Sequence, residues 1–167
     1  GFDAVKKEIL FATKLSEGKG LGLLLKSLPT ISLAYPNIHL MIVGSGDKKY
    51  YESVCNVLKI SSKVKILGRK TPEEVMAIRR SVLLEVCPSV YPESFGRTAL
   101  EALASGVPVV VTDRGGLPEI VEDGVTGYVV EPSESKLATA IIKAIKNNSL
   151  LRKNIEKQYP LLINKFE

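Results

Sequence analysis

PSVYPESFGRTALEALASGVPVVVTDRGGLPE, residues 88–119, is the stretch around which the chain is organised. It opens on a turn-rich loop, Pro88-Ser89-Val90-Tyr91-Pro92, and reaches an acidic residue, Glu93. Gly96 then leads into a helical segment that is apolar on nearly every side, with Ala99, Leu100, Ala102, Leu103 and Ala104. Such a helix is expected to be buried almost all round. Yet Glu101 stands in its middle, and an ionised carboxylate is rarely buried without a partner. Gly106 stops the helix, and residues 107–111 read as a fully buried strand. A loop with Thr112, Asp113, Arg114, Gly115 and Gly116 follows. Loop, helix, strand and loop, with carboxylates at 93 and 101, have the composition of a site.

Upstream, residues 8–12 (EILFA) read as a first strand, followed by the polar loop Thr13-Lys14-Leu15-Ser16-Glu17-Gly18-Lys19-Gly20. Leu21, Leu24, Leu25 and Leu28 then mark one helix face, which Pro29 should interrupt and kink near Leu25 for want of an N–H. A strand over 38–43 ends at Gly44-Ser45-Gly46, a helix is expected over 48–58, and a strand over 64–67 closes at Gly68. Thr71, Pro72 and Glu74 spell a capped helix start with a capping box. Residues 82–87 read as the strand that feeds the central stretch. Downstream, Asp123 to Gly127 forms a turn, 128–130 a short strand, Ser133 a helix cap, and a last helix starts near Ser149. Strands alternating with helices predict an α/β fold: a Rossmann-like, doubly wound parallel sheet of about six strands with helices on both faces. Its continuous apolar strands suit a sheet covered on both sides. Ligands of such sheets bind beyond the carboxyl ends of the strands, where the loops after each strand should converge.

The 167 residues are 45% hydrophobic, enough for one domain with a full core. There is no run of eighteen apolar residues and no signal-peptide pattern. The start Gly1-Phe2-Asp3, without methionine, suggests an excised domain or a tagged chain. Cys55 and Cys87 read as reduced packing residues, and two thiols cannot make a structural zinc site. His39 reads as a residue at the edge of a strand. The net charge of +5 comes from scattered pairs (Lys6-Lys7, Lys48-Lys49, Arg69-Lys70, Arg79-Arg80) read mostly as solvated faces. No basic block with interleaved aromatics appears, so nucleic acid is not expected as a partner.

Glu93, seven intervening residues and Glu101, set within PESFG, EALASG, PVV, GGLPE and DGVTG, closely resemble the donor-site signature of the retaining group 1 glycosyltransferases. The resemblance covers roughly residues 8–148. It implies the two-domain GT-B fold, of which this chain resembles the C-terminal, nucleotide-sugar-binding domain. It further implies an enzyme of hexosyltransferase type that takes a nucleotide-diphosphate sugar as substrate and needs no cofactor. The acceptor-binding N-terminal domain of the same protein is then the implied partner. A cytoplasmic setting is expected, with peripheral contact at the inner face of the membrane left open.

Residue by residue, the family's two basic diphosphate-gripping positions fall on Lys14 and Lys19. Thr13 stands where glycine is usual, and Lys14 replaces an arginine, which keeps the charge but loses the bidentate fork. Gly96 and Arg97 open the helix, and their free N–H groups at a positive dipole end suit a phosphate or a sugar hydroxyl. The counterpart of Glu101 accepts hydrogen bonds from the ribose; the plainer reading is an Arg97–Glu101 pair one helical turn apart. The counterpart of Glu93, the implied catalytic residue, lies beside the transferred sugar. Ser94 and Phe95 complete its loop, Phe95 reading more as a core anchor than as a stacking surface. Gly68 and Arg69 fall where the family places the base. There is no Asp-x-Asp pair to hold a metal under the diphosphate, so no metal site is expected. Two other readings are a dehydrogenase-type Rossmann domain and a non-catalytic nucleotide- or sugar-binding module. The first lacks a Gly-x-Gly-x-x-Gly after its first strand.

Overall fold

A computed structural model describes residues 7–166, with side chains through Gln158; Gly1-Phe2-Asp3 and Lys6 lie outside the described residues. The strands are β1 (Lys7–Ala12), β2 (Ile38–Val43), β3 (Val64–Gly68), β4 (Leu84–Cys87), β5 (Val109–Thr112) and β6 (Gly127–Val130). The helices are α1 (Leu21–Ala34), α2 (Lys48–Val57), α3 (Pro72–Ser81), α4 (Arg97–Ala104), α5 (Leu117–Ile120), α6 (Glu134–Lys146) and α7 (Asn148–Phe166). Every strand pairing is parallel, and the order across the sheet is β3-β2-β1-β4-β5-β6. The expected doubly wound α/β sheet is therefore present. The order reverses between β1 and β4, where Ile9 faces Leu84 and Leu10 faces Glu85. At such a switch point the flanking loops part and leave a crevice.

Alternation along the strands divides the core into two layers. Ile9, Phe11, Val86 and Val110 pack with α1, α2 and α6, whereas Leu10, Cys87, Val109 and Val111 pack with α4, α5 and Ile155 of α7. Both faces being covered explains why the strands read as unbroken apolar runs. Cys55 and Cys87 are free and buried, as expected of packing residues. The Thr71 capping box is formed: the Thr71 hydroxyl accepts from Glu74 N at 3.2 Å, and Glu74 Oε1 accepts from Thr71 N at 3.3 Å.

Several boundaries and one burial pattern differ from expectation. α1 runs through Pro29 to Ala34 as one helix rather than being interrupted there; its buried face, Leu21, Leu24, Leu25, Leu28 and Ile31, outweighs one lost hydrogen bond. β4 starts at Leu84 because Val82 is taken as the C-cap of α3. β5 starts at Val109, after Pro108, which has no N–H for a ladder. A single helical turn, α5, occupies Leu117–Ile120, directly after the Thr112–Gly116 loop and not among the expected elements. α4 is not buried all round: Ala99, Ala102 and Leu103 face inward, while Glu101 and Ala104 lie on the outer side. Exposed alanine costs little, so an alanine-rich helix can look more buried than it is.

Candidate functional site

At the switch point the loop after β1 and the loop after β4 are tied together. Val90 N donates to Gly18 O at 2.9 Å, and Tyr91 N donates to the same oxygen at 3.4 Å. Gly20 has φ 81° and lies so close to the Pro88 carbonyl that any side chain would collide with it. Thr112 Oγ1, at the end of β5, donates to Ser89 O at 2.6 Å. Three strand ends thus fix the segment that leads to Glu93. The far side of the loop rests on the Gly115-Gly116 turn. Gly116 N donates to Glu93 O at 2.7 Å, and Gly115, at φ 58°, abuts the Glu93 backbone where a Cβ would not fit. Those glycines serve loop shape.

The crevice so formed has a volume of about 240 Å³ and is lined by Thr13, Lys19, Ser89, Glu93 and the first turn of α4, Gly96 to Ala99. Lys19 Nζ lies 2.6 Å from Glu93 Oε1, and Ser89 Oγ donates to the same oxygen at 2.5 Å. Partial burial pushes the Glu93 carboxyl up. The hydrogen bonds from Lys19 and Ser89, with the Lys19 charge, outweigh it and hold the group below its ordinary value. Glu93 is therefore an ionised carboxylate at neutral pH. The N-terminus of α4 opens into the same crevice with no side-chain cap on it, so its first N–H groups remain for a ligand. A cation, an anion and a helix dipole face one small volume.

A wider groove of about 400 Å³ lies at the sheet edge between β6 and α6, lined among others by Asp123, Tyr128 and Lys136. The first turn of α6 lines it, but that terminus is already capped by the Ser133 side chain, and Lys136 is paired with Glu131 at the exposed surface, so size does not pick the site. Convergence does.

The family described as glycosyl transferases group 1 matches residues 1–160. The chain belongs to that family. It is 42% identical over 128 residues to an uncharacterised glycosyltransferase of Methanocaldococcus jannaschii, a match covering 76% of this chain and 32% of that protein. It is 31% identical over 152 residues to the phosphatidyl-myo-inositol mannosyltransferase of Mycobacterium leprae, covering 90% of this chain and 40% of the relative. Among solved structures, the Anabaena protein HepE in complex with UDP superposes with a TM-score of 0.87 at 25% identity, covering 99% of this chain and 46% of that one. Sucrose-phosphate synthase from Thermosynechococcus elongatus gives 0.85 at 26% identity, over 95% of this chain and 42% of the neighbour. The chain thus spans less than half the length of these proteins, and looks like the C-terminal domain of a GT-B enzyme.

In this group 1 glycosyltransferase chain, the crevice unites Lys19, Glu93, Gly96 and Arg97, but not all the residues anticipated from sequence. Lys14 is exposed on the β1 loop, at the rim and outside the lining. Gly68 ends β3 and Arg69 follows it, separated from β4 by β2 and β1, with Gly68 O accepting from Gly44 N at 3.0 Å. Ser94 is exposed. Phe95 is 83% exposed, so the core-anchor reading is wrong: Gly96, buried against Leu117 and Ile120, turns the chain so that its neighbour points outward. Glu101 is half exposed rather than buried, on the outer side of α4 and two residues past Ala99, the last α4 residue of the lining.

The sequence reading also missed residues. Thr13 and Ser89 line the crevice, and Ser89 holds Glu93. Arg79, grouped with Arg80 among solvated pairs, is buried at 4% side-chain exposure, with Nε and Nη2 on Glu85 at 2.6 and 3.0 Å. Burial lowers the Arg79 guanidinium's pKa, and the bonds to Glu85 more than offset that and raise it. The signal was Glu85 itself: a carboxylate inside VLLEVC must have a cationic partner close by.

Among the described residues no helix is long and apolar enough to cross a membrane.

Proposed function

We propose that this chain is the donor-binding half of a retaining glycosyltransferase and holds a nucleotide-diphosphate sugar in the crevice between β1 and β4. One observation carries the reading: Lys19, ionised Glu93 and the uncapped N-terminus of α4 converge at the switch point of the sheet. Lys19 has three N–H donors and gives one to Glu93, so two remain for phosphate oxygens. The helix N-terminus supplies further donors, and Lys14 at the rim adds charge. Glu93, fixed by Lys19 and Ser89, faces the position of the transferred sugar, where a fixed negative charge supports positive charge developing at the anomeric carbon. Glu101, outward on α4, is placed to accept the ribose hydroxyls. The neighbours solved with UDP and with UDP-glucose support a nucleotide-sugar donor. The acceptor then belongs to an N-terminal domain of the same protein.

The experiment is a thermal-shift panel of UDP, GDP, ADP and NAD. At a hundred times Kd a ligand adds about 2.7 kcal/mol, which for a domain of this size raises Tm by roughly 5–10 °C. At least one diphosphate should produce such a shift and NAD none. A shift with NAD alone would replace this reading with a dinucleotide-binding one.

Donor binding is further proposed to need no divalent metal, because lysines and a helix N-terminus neutralise the diphosphate. Calorimetric titration with and without EDTA should give Kd values within about threefold. A loss above tenfold, about 1.4 kcal/mol, would show that a metal carries part of the charge.

A further inference from the structure

Arg79 lies outside the crevice, on the last turn of α3, and the residues that carry the family resemblance do not include it. We infer that Arg79 is a positioning residue that sets the Glu101 carboxylate for the ribose; this rests on the donor-site role proposed for Glu101. The guanidinium has three nitrogens and uses two of them on Glu85, through Nε at 2.6 Å and Nη2 at 3.0 Å. That fork fixes the plane and direction of the whole group. The third nitrogen, Nη1, then emerges under α4 at 3.5 Å from Glu101 Oε2. Glu85 is itself fully buried in β4, so the orientation of Glu101 is inherited from the sheet: β4, Glu85, Arg79, Glu101.

The other cation near Glu101 differs in kind. Arg97 Nε stands 3.4 Å from Oε1, but its side chain is 88% exposed, where screening makes an ion pair weak and easily exchanged. An arriving ribose can displace Arg97 from Oε1 and leave Arg79 in place behind Oε2. A carboxylate has about four lone-pair sites, so one cation behind it leaves room for two hydroxyl donors. Lysine at position 79 would not substitute, since an ammonium has no rigid fork to transmit direction. A buried ion pair is also weak evidence of a stabilising role, which leaves specificity as the use this geometry supports.

The test measures hydroxyl discrimination, which a merely structural role would not move. Calorimetry compares the diphosphate among UDP, GDP and ADP that binds most tightly with its 2′,3′-dideoxy counterpart, for the parent chain and each variant. The parent should prefer the ribose form by roughly ten- to a hundredfold, as hydrogen bonds to a charged acceptor imply. Glu101→Gln should reduce that preference to within about threefold. Arg79→Met with Glu85→Leu removes both buried charges together and should keep the fold. It should lower the preference at least about fivefold and leave the Kd of the dideoxy nucleotide unchanged. Should that variant not fold, Arg79→Gln with Glu85→Gln, neutral but hydrogen-bonding, carries the same comparison. If the double variant keeps the parental preference, or weakens both nucleotides equally, while Glu101→Gln loses the preference, the positioning role is overturned. If Glu101→Gln itself keeps the preference, the ribose role of Glu101 fails, and the inference falls with it.

Discussion

Glu85→Ala is expected to destabilise the chain by about 3–5 kcal/mol, because it strands a buried guanidinium. Arg79 is almost wholly enclosed, and its two shortest contacts are both to Glu85. Its remaining carboxylate neighbour, Glu101 at 3.5 Å, is half exposed and cannot replace a buried fork. At roughly 2–4 °C per kcal/mol for a chain of this length, Tm should fall by about 6–20 °C. Removing both charges is different in kind. Arg79→Met with Glu85→Leu leaves no unpaired charge and fills the space with apolar atoms, so stability should stay equal or rise by about 1–4 kcal/mol. Chemical denaturation of the single and double variants checks both statements. A Glu85→Ala loss below about 1 kcal/mol would mean that water reaches Arg79 and that the pair is not buried in solution.

The second large effect concerns turnover. The 167-residue chain, incubated with its donor and a panel of acceptors, should transfer sugar far below the ordinary enzymatic range of about 1–1,000 per second. Holding two substrates in register accounts for roughly 7–11 kcal/mol of a barrier, or effective molarities of about 10⁵–10⁸ M. On the proposed reading, the crevice between β1 and β4 supplies one side of that arrangement, through Lys19, the α4 N-terminus and Glu93, with Glu101 beyond it on α4. Among the described residues there is one sheet and no second α/β unit facing the crevice to hold an acceptor and exclude water. The relatives, more than twice as long as the matched region, have chain to spare for it. Slow hydrolysis of the donor is the only activity expected. Turnover near 1 per second would require an acceptor site within residues 1–167.

Much of the fold was legible because a covered parallel sheet writes each strand as an apolar run and each turn as glycine or aspartate. The strand order was not, since it depends on which runs pair across the sheet. Within the site, Lys19, Glu93 and Gly96 were legible through the family resemblance, and the structure brings those three together. Glu101 was located but misjudged: counting Ala99, Ala102 and Ala104 as apolar implied burial, whereas Ala104 tolerates water and the helix buries only one side. Phe95 was misjudged because its direction is set by contacts distant in sequence, the packing of Gly96 on Leu117 and Ile120. Arg79 was hidden in a dipeptide of like charges whose members go opposite ways, Arg79 inward to Glu85 and Arg80 to solvent. Helical phase relative to β4 separates them, and only the fold fixes that phase.

One crevice, at the reversal of strand order, is proposed to take the nucleoside diphosphate. A crystal structure of the chain with the diphosphate that shifts Tm most tests it directly. Its phosphate oxygens should lie within about 2.7–3.2 Å of Lys19 Nζ and of a backbone N–H in the first turn of α4, with the ribose hydroxyls on Glu101. A diphosphate bound instead in the groove between β6 and α6, or one leaving Lys19 and the α4 N-terminus untouched, would contradict it.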